Sequence, residues 1–186
     1  MEHISYSARY ALIIDLIKKL QAKGSWCGET HLQKAAFIVQ DLVKSKFGYK
    51  FIMYKHGPYS FDLKSELDAM KASNIIDFTF PKAGYGASIK ATEFGERLYK
   101  INKQNIRGYE KACQFVADWF SSQDVKYLER VATAYFVTSK HIREPVASRA
   151  KRLNMLKPHV DIASAEEAAR IVDEKRSQAK QQALAS

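Results

Sequence analysis

The chain has 186 residues, 46% of them hydrophobic and 12% aromatic, enough to bury one compact core with a helical annex. Disordered, collagenous and disulfide-scaffold classes are excluded by that composition. Thirty Lys and Arg against twenty Asp and Glu give a formal net charge of +10, so the surface attracts phosphates or acidic protein faces without saying which.

Tyr6, Tyr10, Ile13, Ile14, Ile17 and Leu20 recur at helical spacing, and Gly24 stops this first helix. Thr30 is the expected N-cap of a second helix, whose apolar face is Leu32, Ala35, Ala36, Val39, Leu42 and Val43, with Gly48 after its end. The stretch Tyr49 to Tyr54 reads as a short strand or extended segment running into a Gly57-Pro58 turn. Ser60 caps a third helix with Leu63, Leu67 and Met70 as its core face, ending near Ser73 and Asn74. Ile75 to Phe80 predicts a strand closed by Pro81, Lys82 to Gly86 a hairpin tip, and Ala87 to Lys90 the returning strand before Thr92 caps a fourth helix. Helix, helix, helix, hairpin is the winged-helix order. The expected fold class is mainly α with a small β-hairpin wing, a winged-helix-like core over residues 1–105.

Residues 106–186 predict a helical domain packed on the first. Tyr109, Ala112, Cys113, Val116 and Phe120 form one stripe and Val125, Leu128, Val131, Ala132 and Tyr135 another, with Ser121-Ser122 as the break, which suggests an antiparallel helix pair. Pro145 starts a further helix, Pro158 ends it, and Ser164 with Glu167 at capping-box spacing opens a last one through Ile171 and Val172. The tail from Gln178 to Ser186 is expected to fray, and neither a repeat nor a linker divides the two parts.

Leu32-Gln33-Lys34, then Tyr54-Lys55-His56-Gly57-Pro58-Tyr59-Ser60 and Asp62-Leu63, resembles the Panacea (SocA-like antitoxin) family and the related YwgA-like proteins. Their pattern is LQK, an aliphatic helix, YxxGPxS and another helix. Leu128-Glu129-Arg130-Val131-Ala132-Thr133 and Leu156-Lys157-Pro158 resemble the YwgA-like version, so the likeness touches most of residues 30–172. Ala35-Ala36-Phe37 stands where Leu-Leu-Tyr types are usual, and His56 where an aromatic or small residue often precedes Gly-Pro. The resemblance implies a winged-helix-like core with no known enzymatic activity, often encoded beside toxins or on mobile and phage-related elements. Members of such families neutralise a toxin, regulate transcription or act as adaptors.

Gly57 and Pro58 have a purely structural reading: Pro fixes φ, Gly allows an angle other residues avoid, and Ser60 satisfies a free helix N–H. The functional reading is that Lys55, His56 and Ser60 gather at a helix N-terminus, where amides and dipole favour an anion such as a backbone phosphate. From Phe61 to Ser73, Asp62, Glu66 and Asp68 stand against Lys64 and Lys71, a net of minus one on the helix that should read DNA. Its exposed positions, including Lys64, Asp68 and Lys71, offer no Arg, Asn or Gln for base readout, and suit a protein partner better. The hairpin carries Lys82, Tyr85 and Lys90, a combination that fits a minor groove, a phosphate backbone or plain solvent.

The densest positive run is Lys140, Arg143, Arg149, Lys151, Arg152 and Lys157 against Glu144 alone, a net of plus five. Arg149 and Arg152 fall three apart on one helix face with Lys151 beside them, a patch for nucleic-acid phosphates, an acidic toxin surface or only water. Catalytic signals are thin. The histidines show no metal-ligand spacing, no Gly-rich phosphate loop or GxSxG is present, and neither metal nor cofactor is expected. Arg152 and His159 loosely suggest a helical ribonuclease pair, but Pro158 interrupts the helix they need. Cys27 and Cys113 lie far apart without CxxC, so they read as core thiols of a reducing cytoplasm, and Tyr49, Phe51, Tyr54, Tyr59 and Phe61 read as core aromatics. No stretch approaches the roughly 20 apolar residues of a membrane span, so an unexported soluble protein is expected.

The leading expectation is therefore a non-catalytic antitoxin-like or adaptor protein, bound to a toxin or regulated protein through its third helix or the 140–157 face. The alternative is a winged-helix transcriptional regulator binding double-stranded DNA as a homodimer, which requires Lys55, Lys82, Lys90 and the 140–157 cations to share one face.

Overall fold

The structure, a computed structural model, describes residues 4–44, 48–80, 86–182 and 184. Lys82 and Tyr85 lie outside the described residues, and so does most of the hairpin tip. In chain order the elements are α1 (Tyr6–Ala22), α2 (Glu29–Leu42), β1 (Ile52–Tyr54), β2 (Gly57–Tyr59), α3 (Phe61–Ala72), β3 (Ile76–Thr79) and β4 (Ser88–Ala91). Then follow α4 (Glu93–Asn102), a 3₁₀ turn (Lys103–Ile106), α5 (Glu110–Phe120), α6 (Val125–Lys140), α7 (Val146–Leu156) and α8 (Ile162–Gln181). The molecule is mainly helical.

Among the described residues two antiparallel hairpins interrupt the helices. The expected one pairs β3 with β4, Phe78 opposite Ile89. A second pairs β1, within the stretch expected to be extended, with β2, where Gly57-Pro58 was expected as a turn, and sets Ile52 opposite Tyr59 and Tyr54 opposite Gly57. Gly57 reaches φ +98°, the region that only glycine enters freely, and this lets the chain reverse tightly enough for Pro58 to join a strand instead of a loop.

Caps explain most boundaries. Ser60 accepts from the Leu63 N–H at 3.3 Å and Thr92 from the Gly95 N–H at 3.1 Å, both as expected. Two expected caps move upstream. The second helix starts at Glu29 with Gly28 at its N-cap instead of Thr30, because Cys27 at φ 49° turns the chain before that point. The last helix is capped by Asp161, whose carboxylate accepts from the Ser164 N–H at 2.8 Å; Ser164 is already inside the helix. Its far end does not fray where expected, since α8 runs to Gln181 and Leu184 is buried with its N–H bonded to Ala179 O.

Helices α1 and α2 form the centre. In α1 the run from Ala11 to Ile17 is buried throughout, although Tyr6, placed on the core stripe by spacing, is exposed. In α2 every residue from His31 to Val39 is buried. That burial arises because α2 is enclosed by α1, α5, α6 and β2. One apolar cluster takes in Ile14, Leu32, Leu67, Phe120, Tyr135 and Val172, spanning the chain from α1 to α8. The antiparallel α5–α6 pair does not form: α5 packs on α1 and α2, α6 on α2, α7 and α8, and the two meet through Trp119, which donates to the Tyr127 hydroxyl at 3.1 Å.

Candidate functional site

The two sequence motifs, Leu32-Gln33-Lys34 and Gly57-Pro58-Tyr59-Ser60, meet in space. Leu32 fills the core. The Gln33 side chain grips both main-chain groups of Ser60, accepting from its N–H at 2.9 Å and donating to its carbonyl at 3.0 Å. A buried amide thus fixes the point where the hairpin becomes α3. Lys34 lies beneath Gly57, where a Cβ would stand 3.4 Å from both Lys34 Cε and Thr133 Oγ1, so glycine admits the lysine stem.

Lys34 is 2% exposed, and its ammonium makes no hydrogen bond and no ion pair with any described residue. Burial pushes its pKa down to about 8, with Glu129 opposing that fall and Lys157 adding to it. Lys157, also buried, follows the last turn of α7 and reaches across to the hairpin, donating to the carbonyl of Tyr54 at 3.0 Å and to that of Lys55. Its ammonium is 3.0 Å from Glu129 Oε1. The largely buried Glu129 carboxylate is flanked by His56 Nδ1 at 3.5 Å and His159 Nε2 at 3.7 Å. Burial raises the Glu129 pKa, but the adjacent Lys157 ammonium, then His56, outweigh it and hold the carboxyl below its usual value. Two buried ammonium groups therefore stand near one carboxylate, and of the two only Lys157 pairs with it.

On the same hairpin and at the start of α3, three rings come together. Tyr54 is 45% exposed and Phe61 55%, and with Tyr59 they form a closed triangle of centroids 5.2 to 5.6 Å apart. Ile52, on the same strand face as Tyr54, is 48% exposed. The Tyr59 hydroxyl donates to Glu29 Oε1 at 2.9 Å. Of the five aromatics read as core, Tyr49 is buried and Phe51 half-buried, whereas Tyr54, Tyr59 and Phe61 make this cluster.

The remaining residues singled out by sequence scatter in role. Ser60 is fully buried and its hydroxyl is taken by the helix cap, so it offers nothing to an external phosphate. Pro58 is buried, and Lys55 and His56 stand exposed at the hairpin bend. Lys64 pairs with Asp68 at 2.5 Å and Lys71 lies 4.6 Å from the Phe78 ring centre. The negative balance of α3 is smaller at the surface than in the sequence, because Glu66 is buried against Arg9 at 2.8 Å. Lys90 is exposed opposite Asp77 on the β3–β4 hairpin.

The basic run does not form one patch. Arg149 is buried in a two-pronged pair with Asp173 at 2.7 and 2.6 Å and also donates to Thr138, so it does not share an exposed face with Arg152. Arg152 is exposed but clasped by Glu144 at 2.7 and 2.8 Å, and Lys157 is buried at the hairpin. Lys140, Arg143 and Lys151 remain as the exposed cations.

Sequence reasoning missed Lys34, Glu129 and Lys157 as a group. The one local signal was a lysine set among Leu32, Ala35 and Ala36; the grouping itself joins residues from α2, α6 and the end of α7. Elsewhere, a groove of about 720 Å³ opens beside Trp26, His31, Phe78 and Gln123, with the buried His31 pushed down in pKa by burial. Cys27 and Cys113 are buried free thiols, the first raised to about 12 by burial. Among the described residues no group of three His, Cys, Asp or Glu side chains is placed to hold a metal, and no helix is long and apolar enough to cross a membrane. No family model matches the chain, and no curated protein matches it.

Proposed function

We propose that this chain is a non-catalytic binding protein, antitoxin-like or an adaptor, that acts in the cytoplasm through protein–protein contact made by the β1–β2 hairpin and the start of α3. The observation that carries this reading is the exposed Tyr54–Tyr59–Phe61 cluster with Ile52 beside it. Large rings in the open are costly to leave hydrated and are the residues that dominate protein interfaces. Tyr59 and Phe61 meet at 74° and Tyr54 and Phe61 at 68°, edge against face, so the rings cover one another instead of offering the free parallel faces on which nucleobases stack. The likeness of Leu32-Gln33-Lys34 and of Tyr54 to Ser60 to the Panacea and YwgA-like families supports the same reading, and with it a winged-helix-like arrangement of α1 to α3 and β3–β4, followed by a helical domain.

The DNA-binding alternative has less support, because Arg149, Arg152 and Lys157 are engaged by acidic or carbonyl partners within the chain. The test is purification from the cells that encode the protein, comparing the intact chain with a Tyr54→Ser, Phe61→Ser variant and a Lys140→Glu, Lys151→Glu variant. A stoichiometric protein lost only with the rings supports the proposal. Absence of such a protein, together with tight and salt-steep binding to the chain's own upstream duplex between about 50 and 200 mM salt, overturns it in favour of a regulator.

A further inference from the structure

We infer that the segment docking on the Tyr54–Tyr59–Phe61 cluster carries an acidic side chain, seated over His56 and His159 above the buried Lys34 and Lys157. The inference rests on the protein-contact reading and adds the chemistry of the partner to it.

The argument is one of charge. Beneath the hairpin bend two buried ammonium groups face one carboxylate, that of Glu129, and Lys34 has no hydrogen bond or ion pair of its own. A surplus charge held in low-dielectric surroundings is poorly screened, so its field reaches the surface directly above it. On that surface Lys55 is exposed, and His56 and His159, which flank Glu129, are 69% and 65% exposed in their side chains. Tyr54 and Tyr59 are on the same short hairpin, Phe61 opens α3 just after it, and Tyr54 supplies one of the carbonyls that Lys157 holds. At the opposite end of the cluster Glu29 is already engaged by the Tyr59 hydroxyl, so the surface is polarised, positive at the bend and acidic toward α2. An apolar segment with Asp or Glu at its bend-side end matches this polarity; a basic one meets like charge.

The experiment is selection of a random-peptide display library on the full chain at about 0.15 M ionic strength, followed by affinity measurement of the recovered peptides and their Asp→Asn or Glu→Gln counterparts. The expected result is enrichment of peptides that join large apolar residues to a carboxylate, with about tenfold weaker binding when that carboxylate is made neutral. Lys34→Met, which keeps the stem and removes the charge, weakens the acidic peptides and leaves their neutral counterparts unchanged. A loss confined to the acidic peptides cannot arise from damage to the fold, which urea denaturation of the variant monitors. Peptides that need the rings but show no acidic preference, or an equal loss of acidic and neutral peptides with Lys34→Met, overturn this inference and leave the protein-contact reading standing. Failure to recover any peptide whose binding requires Phe61 overturns that reading and this inference with it.

Discussion

The side chain of Gln33 and the main chain of Ser60 bind each other through a closed pair of hydrogen bonds, 2.9 Å from the Ser60 N–H to Gln33 Oε1 and 3.0 Å from Gln33 Nε2 to the Ser60 carbonyl. Both residues are fully buried, so neither main-chain group has water as a substitute. Gln33→Leu strands a buried donor and a buried acceptor together, and should cost about 2 to 4 kcal/mol in urea denaturation. Gln33→Glu keeps the acceptor but sets an oxygen against the Ser60 carbonyl, and should be no better. A loss below about 1 kcal/mol for the leucine variant would mean the junction rearranges around it.

Lys34 should give stability an alkaline rise. Its folded pKa of about 8 lies below the ordinary 10.5, so between those values the unfolded chain holds a proton that the folded chain does not. Stability therefore increases as pH rises through this window, and the penalty is fully present below it. Relative to Lys34→Met, the intact protein should gain of order 1 to 3 kcal/mol between about pH 7.5 and 10. Burial raises the pKa of Tyr99 to about 12 and that of Tyr135 also, which removes stability only at higher pH and in both proteins alike. Parallel curves for the two proteins would show that Lys34 is not buried as charged.

Two glycines should fail for different reasons. At Gly95 a Cβ would lie 2.1 Å from the Ile75 carbonyl oxygen, which is itself held by the N–H and hydroxyl of Thr92 at 3.1 Å each. Gly95→Ala should therefore destabilise by about 3 kcal/mol or more. At Gly57 the obstacle is φ +98° more than space, and Gly57→Ala should cost about 1 to 2 kcal/mol while shifting the hairpin that carries Tyr54 and Tyr59. Partner capture should fall in the second variant at temperatures where it is still folded.

Arg149 and Asp173 tie α7 to α8, and the pair is lopsided: the Arg149 side chain is 5% exposed and that of Asp173 44%. Arg149→Met removes the guanidinium from Thr138 and the Glu144 carbonyl as well, and should cost about 3 kcal/mol in thermal or urea unfolding. Asp173→Asn keeps one acceptor near solvent and should cost about 1 kcal/mol. Neither change should alter affinity for a random duplex beyond its effect on folding, whereas Lys140→Glu with Lys151→Glu should lower it and flatten its salt dependence.

Sequence alone determined what depends on near neighbours along the chain. Apolar spacing located the helices, Ser60 and Thr92 were legible as caps because their partners lie three residues away, and Leu63, Leu67 and Met70 emerged as the core face of α3. The Gly57-Pro58 break was visible, but not that it begins a strand, since pairing of Tyr54 with Gly57 needs a partner strand and a floor of α2 and α6 beneath it. Tertiary structure decided which charges are available. Arg149, Lys157 and Glu66 look like surface residues in a charge count, yet Asp173, Glu129 and Arg9 reach them from distant parts of the chain. The same holds for Lys34: its burial comes from the four elements around α2, and its surplus charge exists only because Lys157 arrives from the end of α7 to share Glu129. Period and capping are local properties of a sequence, whereas burial and pairing of charge are properties of what packs on what.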